Sequence, residues 1–136
     1  MIHSLIIATG ATLAITVGTV VLNGQTPQKS TNDGVYTAAQ AARGKEVFES
    51  KCTTCHEPAR FAGDTFAEVW SGKPLKEVWD VASGTMPEDN PGSLKPQEYG
   101  DILAYILQLN AYPTGDTELA GNAATMANIK VEKPKK

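Results

Sequence analysis

The stretch that most restricts what this chain can fold into is Cys52-Thr53-Thr54-Cys55-His56. It supplies two thiols and an imidazole in the order C-x-x-C-H, which is typical of covalent attachment of a c-type haem. Two cysteines at this spacing can form thioether bonds to the two vinyl groups on one porphyrin edge, and the histidine that follows can ligate the iron. The motif therefore predicts one covalent haem c.

Two other chemistries also use a C-x-x-C pair. A thioredoxin-like dithiol would sit in a strand–helix–strand surround, and no such alternation is present in the sequence. A zinc site needs four ligands, and the only other histidine is His3, in a distant apolar segment. Since so short a motif can also arise by chance, the motif alone leaves these alternatives open.

Length and charge narrow the class of protein further. A chain of 136 residues allows one domain, and a core this small is marginal unless a bound group such as haem supplies a large apolar surface. The net charge is −3, and the segment 130–136 holds four lysines and one glutamate, so the remainder is more acidic still. We therefore expect no nucleic-acid partner.

The first part of the chain is apolar and then becomes polar. Ile2 to Leu22 is long enough to span a bilayer, and Gly10, Ala14 and Gly18 form a stripe of small residues on one helix face. No Lys or Arg precedes this run and no A-x-A site follows it, which favours a retained anchor over a signal peptide. Residues 1–24 are thus predicted to be a transmembrane anchor or a signal peptide. Residues 25–35 are rich in turn formers and are predicted to be a linker.

A first helix is predicted after the linker. Thr37 and Gln40 form a T-x-x-Q capping box at the start of a helix that should run to about Lys51. Gly44 and Phe48 share one face of this helix. Because a glycine in a helix interior costs up to about 1 kcal/mol relative to alanine, we expect Gly44 to permit the close approach of another helix.

Two further helices follow from apolar residues at helical spacing. One should begin at Pro74 and end at Gly84, and the other should run from about Pro96 to Asn110. Their apolar stripes are Leu75, Val78, Trp79 and Ala82 in the first helix, and Tyr99, Ile102, Leu103, Ile106 and Leu109, flanked by Tyr105, in the second.

No segment shows a convincing alternation with period two, so the predicted fold class is all-α. We expect three to four helices around one haem in residues 36–119, preceded by a single apolar helix at the N-terminus. Residues 120–136 lack packing signals and are predicted to be a C-terminal tail with a basic, disordered end.

Together these residues resemble the class I monohaem cytochrome c family over about 36–119. The segment 86–119 is more closely similar to the haem domains that serve pyrroloquinoline-quinone dehydrogenases and other periplasmic oxidoreductases. The resemblance implies a small cytochrome c fold in which the first and last helices cross at the glycine. It rests on Gly44-x3-Phe48-x3-Cys52-x2-Cys55-His56, on Thr85-Met86-Pro87, and on a last helix with Tyr99 and Tyr105.

The resemblance also implies an axial methionine in the loop before the last helix, and Met86 occupies this place. Met1 belongs to the apolar segment, and Met126 lies in the predicted tail. Two features depart from the family. Only 29 residues separate His56 from Met86, and Lys95 stands at the N-cap of the last helix, where a serine or threonine is usual.

The family further implies that a proline carbonyl accepts a hydrogen bond from the axial imidazole, and Pro58 is the candidate here. Side chains with a ring or a charge could line the haem or reach its propionates. The candidates are Trp70, Trp79, Tyr99 and Arg60.

The function expected from these observations is that of a one-electron carrier and not an enzyme. Cys52, Cys55, His56 and Met86 would bind the haem, and His56 and Met86 would ligate its iron. The domain would face the periplasm, anchored in the inner membrane, and relay electrons between a protein donor and an oxidase-type acceptor, with other membrane-complex subunits contacted through the N-terminal helix. The alternative is a haem enzyme or ligand-binding haem protein with an open or labile sixth position.

Overall fold

The computed structural model describes residues 28–135. This part of the chain is mostly helical, as expected. Its helices are α1 (Ala38–Lys51), α2 (Asp64–Trp70), α3 (Leu75–Thr85), α4 (Pro96–Leu109) and α5 (Ala123–Ala127), with a 3-10 turn at Pro58–Phe61 and two short strands, β1 (Lys29–Ser30) and β2 (Ile129–Lys130).

Helices α1 and α4 cross in close contact, and Gly44 lies at the crossing. A Cβ atom added to Gly44 would lie 1.8 Å from the backbone oxygen of Asp101 in α4. No side chain fits this gap, so the predicted reason for a glycine in the middle of α1 is confirmed. Phe48, one turn further along the same face, is 2% exposed and packs edge-on against Tyr105 of α4, with ring centroids 5.6 Å apart.

The predicted start of α1 is confirmed, but Gln40 has a different role from the one expected. The hydroxyl oxygen of Thr37 accepts a hydrogen bond from the Gln40 backbone N–H (3.1 Å). The Gln40 side chain does not turn back to cap the helix. It is buried, and its amide donates to Asp101 Oδ1 (3.0 Å) and to the Leu119 carbonyl (2.8 Å) while accepting from the Leu119 N–H (2.7 Å). It therefore links α1 to α4 and to the chain that follows α4.

Helices α3 and α4 lie where their apolar spacing predicts. Pro74 is the N-cap of α3, and the helix continues one residue beyond Gly84, to Thr85. Lys95 is the N-cap of α4, and its side chain offers no acceptor to the free N–H groups at this end of the helix. The Glu98 carboxylate accepts from the Lys95 backbone N–H (2.7 Å), so one donor at this end is satisfied. Most of the two predicted stripes is buried, with Ala82 and Leu109 partly buried.

The two ends of the described chain pack on the domain, which differs from the predicted linker and tail. Strands β1 and β2 pair in parallel, and Ser30 Oγ donates to the Glu132 carboxylate (2.7 Å), a bond that lowers the pKa of Glu132. Met126 and Val131 are fully buried, and Ile129 is 3% exposed. Two-residue strands are too short to show periodicity, and the apolar residues of 120–135 become buried only through partners far away in sequence.

The predicted N-terminal apolar helix lies outside the described residues, as do most of the predicted anchor and linker. Within 28–135, no helix combines the length and the apolar character needed to cross a membrane.

Candidate haem-binding site

The C-x-x-C-H motif forms the turn that directly follows α1. Cys52 is the C-cap of the helix, and its N–H donates to the Phe48 carbonyl (2.8 Å). The carbonyl of Cys52 then accepts from the N–H groups of Cys55 (3.1 Å) and His56 (2.8 Å). These bonds fold the five residues into one compact turn, so both thiols and the imidazole are held close together at the end of α1.

The two thiols have different surroundings. Cys55 is exposed, whereas Cys52 is half-buried, and both are free. Burial raises the pKa of the Cys52 thiol, because desolvation disfavours the charged thiolate. The turn therefore presents one thiol to solvent and one at the border of the apolar core.

The His56 ring is held by Phe61, a residue that the sequence reasoning missed. The two rings meet edge to face with centroids 5.4 Å apart. Asn110, at the end of α4, donates to the Phe61 carbonyl (2.7 Å) and accepts from the Gly63 N–H (2.9 Å). The end of α4 thus fixes the turn that carries Phe61. A 3-10 turn of four residues is too short to show a helical period in the sequence. The only local signal for it after Pro58 is the run Phe61-Ala62-Gly63.

His56 Nδ1 is buried and has no hydrogen-bond partner within the described residues. The prediction that the Pro58 carbonyl accepts from this nitrogen is therefore wrong in this structure. Pro58 is instead the first residue of the 3-10 turn. The ring is held by aromatic packing and lacks the usual bond to a carbonyl.

Met86 is the C-cap of α3 and begins the loop before α4. It is half-buried, its N–H donates to the Ala82 carbonyl (3.1 Å), and it precedes a cis bond to Pro87. Its carbonyl accepts from the Tyr99 hydroxyl (2.6 Å) and from the Gly92 N–H (3.3 Å). The backbone of the predicted sixth ligand is thus fixed from both sides, by α3 and by α4.

The other candidates for contact with the haem are divided between core and surface. Trp79 and Tyr99 are buried and pack edge to face, with centroids 5.9 Å apart. Trp70 is half-buried under the Lys73 ammonium (5.1 Å to the ring centroid), and Arg60 is exposed. Met126, the other methionine in the described residues, is fully buried in the core.

The residues present fit a haem c. The turn after α1 carries two free thiols and an imidazole, the three groups that covalent attachment and iron ligation require. Several apolar side chains that pack against the core are only partly buried, so they could contact an apolar plate. No group of three or more His, Cys, Asp or Glu residues in the range 28–135 could hold a metal ion by itself. The partly covered apolar side chains include Val47, Phe61, Trp70 and Leu94.

The helical fold and the C-x-x-C-H turn define a c-type cytochrome domain. A family model described as "Cytochrome C oxidase, cbb3-type, subunit III" matches residues 39–106, half of the chain, and the chain belongs to this family. Its cofactor is covalently bound haem c, and the family supports a role in electron transfer. No curated protein and no solved structure matches the chain. The closer likeness to haem domains of quinoprotein dehydrogenases stays a prediction.

Proposed function

We propose that this chain is a one-electron carrier in which Cys52 and Cys55 attach the haem and His56 and Met86 are the axial ligands. It relays electrons from a protein donor to an oxidase-type acceptor at the periplasmic face of the inner membrane, as an anchored subunit of a membrane complex. The family description, which names an oxidase subunit, and the apolar segment 2–22 support this placement.

One observation carries the proposal. Between the attachment turn and α4 there is a half-buried methionine, Met86, whose backbone is bonded to both neighbouring helices. When bound, the haem supplies one-electron chemistry between ferric and ferrous iron. Met86 would offer a neutral thioether, which favours the ferrous state, and His56 would offer an imidazole. Partly buried apolar side chains such as Phe61, which packs on His56, would exclude water.

Replacement of Met86 by alanine tests the proposed ligation. Without the thioether, the ferric protein should lose the far-red absorption band typical of an iron–thioether bond. The reduction potential should fall by on the order of 0.1 V, within the range of about 0.8 V that axial ligands control. The ferrous protein should also bind carbon monoxide, measured by difference spectroscopy.

Met126→Leu is the matched control, because it replaces a methionine that is buried in the core. It should keep the band and the potential of the unmodified protein. An unchanged band and potential in Met86→Ala would show that another group is the sixth ligand, and carbon monoxide binding by the unmodified protein would favour the alternative of an open-site haem protein.

A further inference from the structure

The loop that carries Met86 is closed by its own backbone. The Met86 carbonyl accepts from the Gly92 N–H (3.3 Å), and the Asn90 N–H donates to the Pro87 carbonyl (3.0 Å). These bonds fold residues 87–92 into a small turn. They do not by themselves attach that turn to the rest of the domain.

Two bonds attach Met86 to its neighbouring helices. The Met86 N–H extends the hydrogen-bond pattern of α3, through the Ala82 carbonyl at 3.1 Å. The Tyr99 hydroxyl, from the first turns of α4, donates to the Met86 carbonyl at 2.6 Å. The bond from Tyr99 links the loop to α4. Helix α4 packs on α1, and α1 ends at the turn that carries the C-x-x-C-H motif.

Tyr99 is itself rigidly placed. It is 3% exposed, and its ring packs edge to face against Trp79 of α3, with an interplanar angle of 76°. A phenol fixed at both its ring and its hydroxyl holds its acceptor in one position, because the ring cannot move without loss of packing.

We propose that Tyr99 is a positioning residue that holds the backbone of Met86 and thereby slows the departure of its thioether from the iron. This inference rests on the proposed ligation by Met86. Tyr99 acts only through the Met86 carbonyl and need not touch the haem. Without its bond, the carbonyl keeps a single, longer bond to Gly92, so the loop can move away from the iron more easily.

The test is Tyr99→Phe in the full chain with haem attached. At saturating imidazole, the rate at which ferric protein binds this external ligand is limited by thioether departure, and it is measured by stopped-flow absorbance. Because one neutral hydrogen bond is lost, we expect the limiting rate to rise by roughly 3- to 10-fold. The far-red band should persist, because Met86 is still present.

Tyr105→Phe is the matched control, since Tyr105 is also buried in α4 but its ring packs on Phe48, and the hydrogen bonds to the Met86 carbonyl come from Tyr99 and Gly92. It should leave the limiting rate within about twofold of the unmodified protein. Equal rates for the two tyrosine variants would overturn the role of Tyr99 while leaving ligation by Met86 intact. If the unmodified protein bound imidazole as fast as Met86→Ala does, with no limiting rate, both the role of Tyr99 and the ligation by Met86 would be overturned.

Discussion

A single missing side chain sets how closely the two main helices can approach. At Gly44 the space for a Cβ atom is taken by the backbone carbonyl of Asp101, an atom that cannot rotate away as a side chain can. Gly84, in the last turns of α3, has nothing within 4 Å of the corresponding position. Both glycines are helical, so they differ in their surroundings and not in their backbone conformation.

Gly44→Ala should therefore destabilise the domain, while Gly84→Ala should not. The alanine methyl at position 44 would force α1 and α4 apart, at a cost of about 1–3 kcal/mol or more. The alanine at position 84 should leave the free energy of unfolding unchanged or raise it by about 0.5–1 kcal/mol, because glycine is the poorer helix former. Denaturant titration of the haem-bearing protein measures both values, and an equal effect of the two substitutions would show that the crossing tolerates the methyl group.

The sequence predicted a close helix contact at Gly44, because glycine is unfavourable inside a well-capped helix unless packing requires it. It also identified the motif residues Cys52, Cys55 and His56, since that signal is contiguous in the chain. The contacts that hold His56 and Met86 could not be predicted in the same way. Phe61 and Tyr99 reach these residues only after folding, and no spacing in the sequence records an edge-to-face ring contact or a phenol bonded to a distant carbonyl.

Between the helices, buried polar groups supply the specific connections. Asp101 of α4 is 6% exposed, and its carboxylate accepts from Gln40 (3.0 Å), Gln97 (3.0 Å) and Arg43 (3.2 Å). Hydrogen bonds to Asp101 and Glu118 raise the pKa of Arg43, whose guanidinium is largely exposed. The hydrogen bonds that the side-chain amides of Gln40 and Gln97 donate to Asp101 are therefore better shielded from solvent. Helix α1, helix α4 and the Leu119 segment thus meet at one carboxylate.

Replacement of Gln40 by leucine should weaken this connection. The Leu119 N–H loses its acceptor, and a buried group left without a partner costs about 1–3 kcal/mol. Asp101 also loses one of its donors but keeps those from Gln97 and Arg43. Gln108→Leu is the control, because Gln108 is an exposed glutamine of α4. Denaturant titration should show a lower free energy of unfolding for Gln40→Leu only, and equal values for both variants would contradict the role given to Gln40.

Helix length explains which elements the sequence could predict. Helices α1, α3 and α4 have eleven or more residues; α1 carries a capping signal, and α3 and α4 carry both an end signal and an apolar stripe. Helices α2 and α5 have seven and five residues, too few to show a reliable period. The side chain of Gln40 illustrates a second limit, because a capping-box pattern describes local bonds and cannot reveal a partner 61 or 79 residues away.

Taken as one body, the domain is closed by the residues around Thr31 and Val131, which were predicted to lie in the linker and in the tail. The Tyr112 hydroxyl donates to the Glu132 carbonyl, and the Glu132 N–H donates to Thr31 Oγ1 (3.1 Å). Val131 donates to the Lys73 carbonyl (2.9 Å), so the C-terminal strand also contacts the start of α3. The basic composition of 130–136 suggested a solvated end, but the side chains of Met126, Ile129 and Val131 are buried in the core.

A chain that ends at Leu119 should therefore lose much of its stability, although it contains every residue of the predicted domain 36–119. It lacks Met126, Ile129 and Val131, whose burial is worth about 1.5–3 kcal/mol each, so the loss is comparable with the about 5–15 kcal/mol that stabilises a whole domain. A chain that ends at Lys133 is the control, since it keeps these side chains and the strand pair. The yield of haem-bearing protein, measured by its absorbance, and the denaturation midpoint should both fall sharply only for the shorter chain. Values within about 1 kcal/mol of the control would mean that the core is complete without the C-terminal segment, because the loss of three buried side chains would then have cost almost nothing.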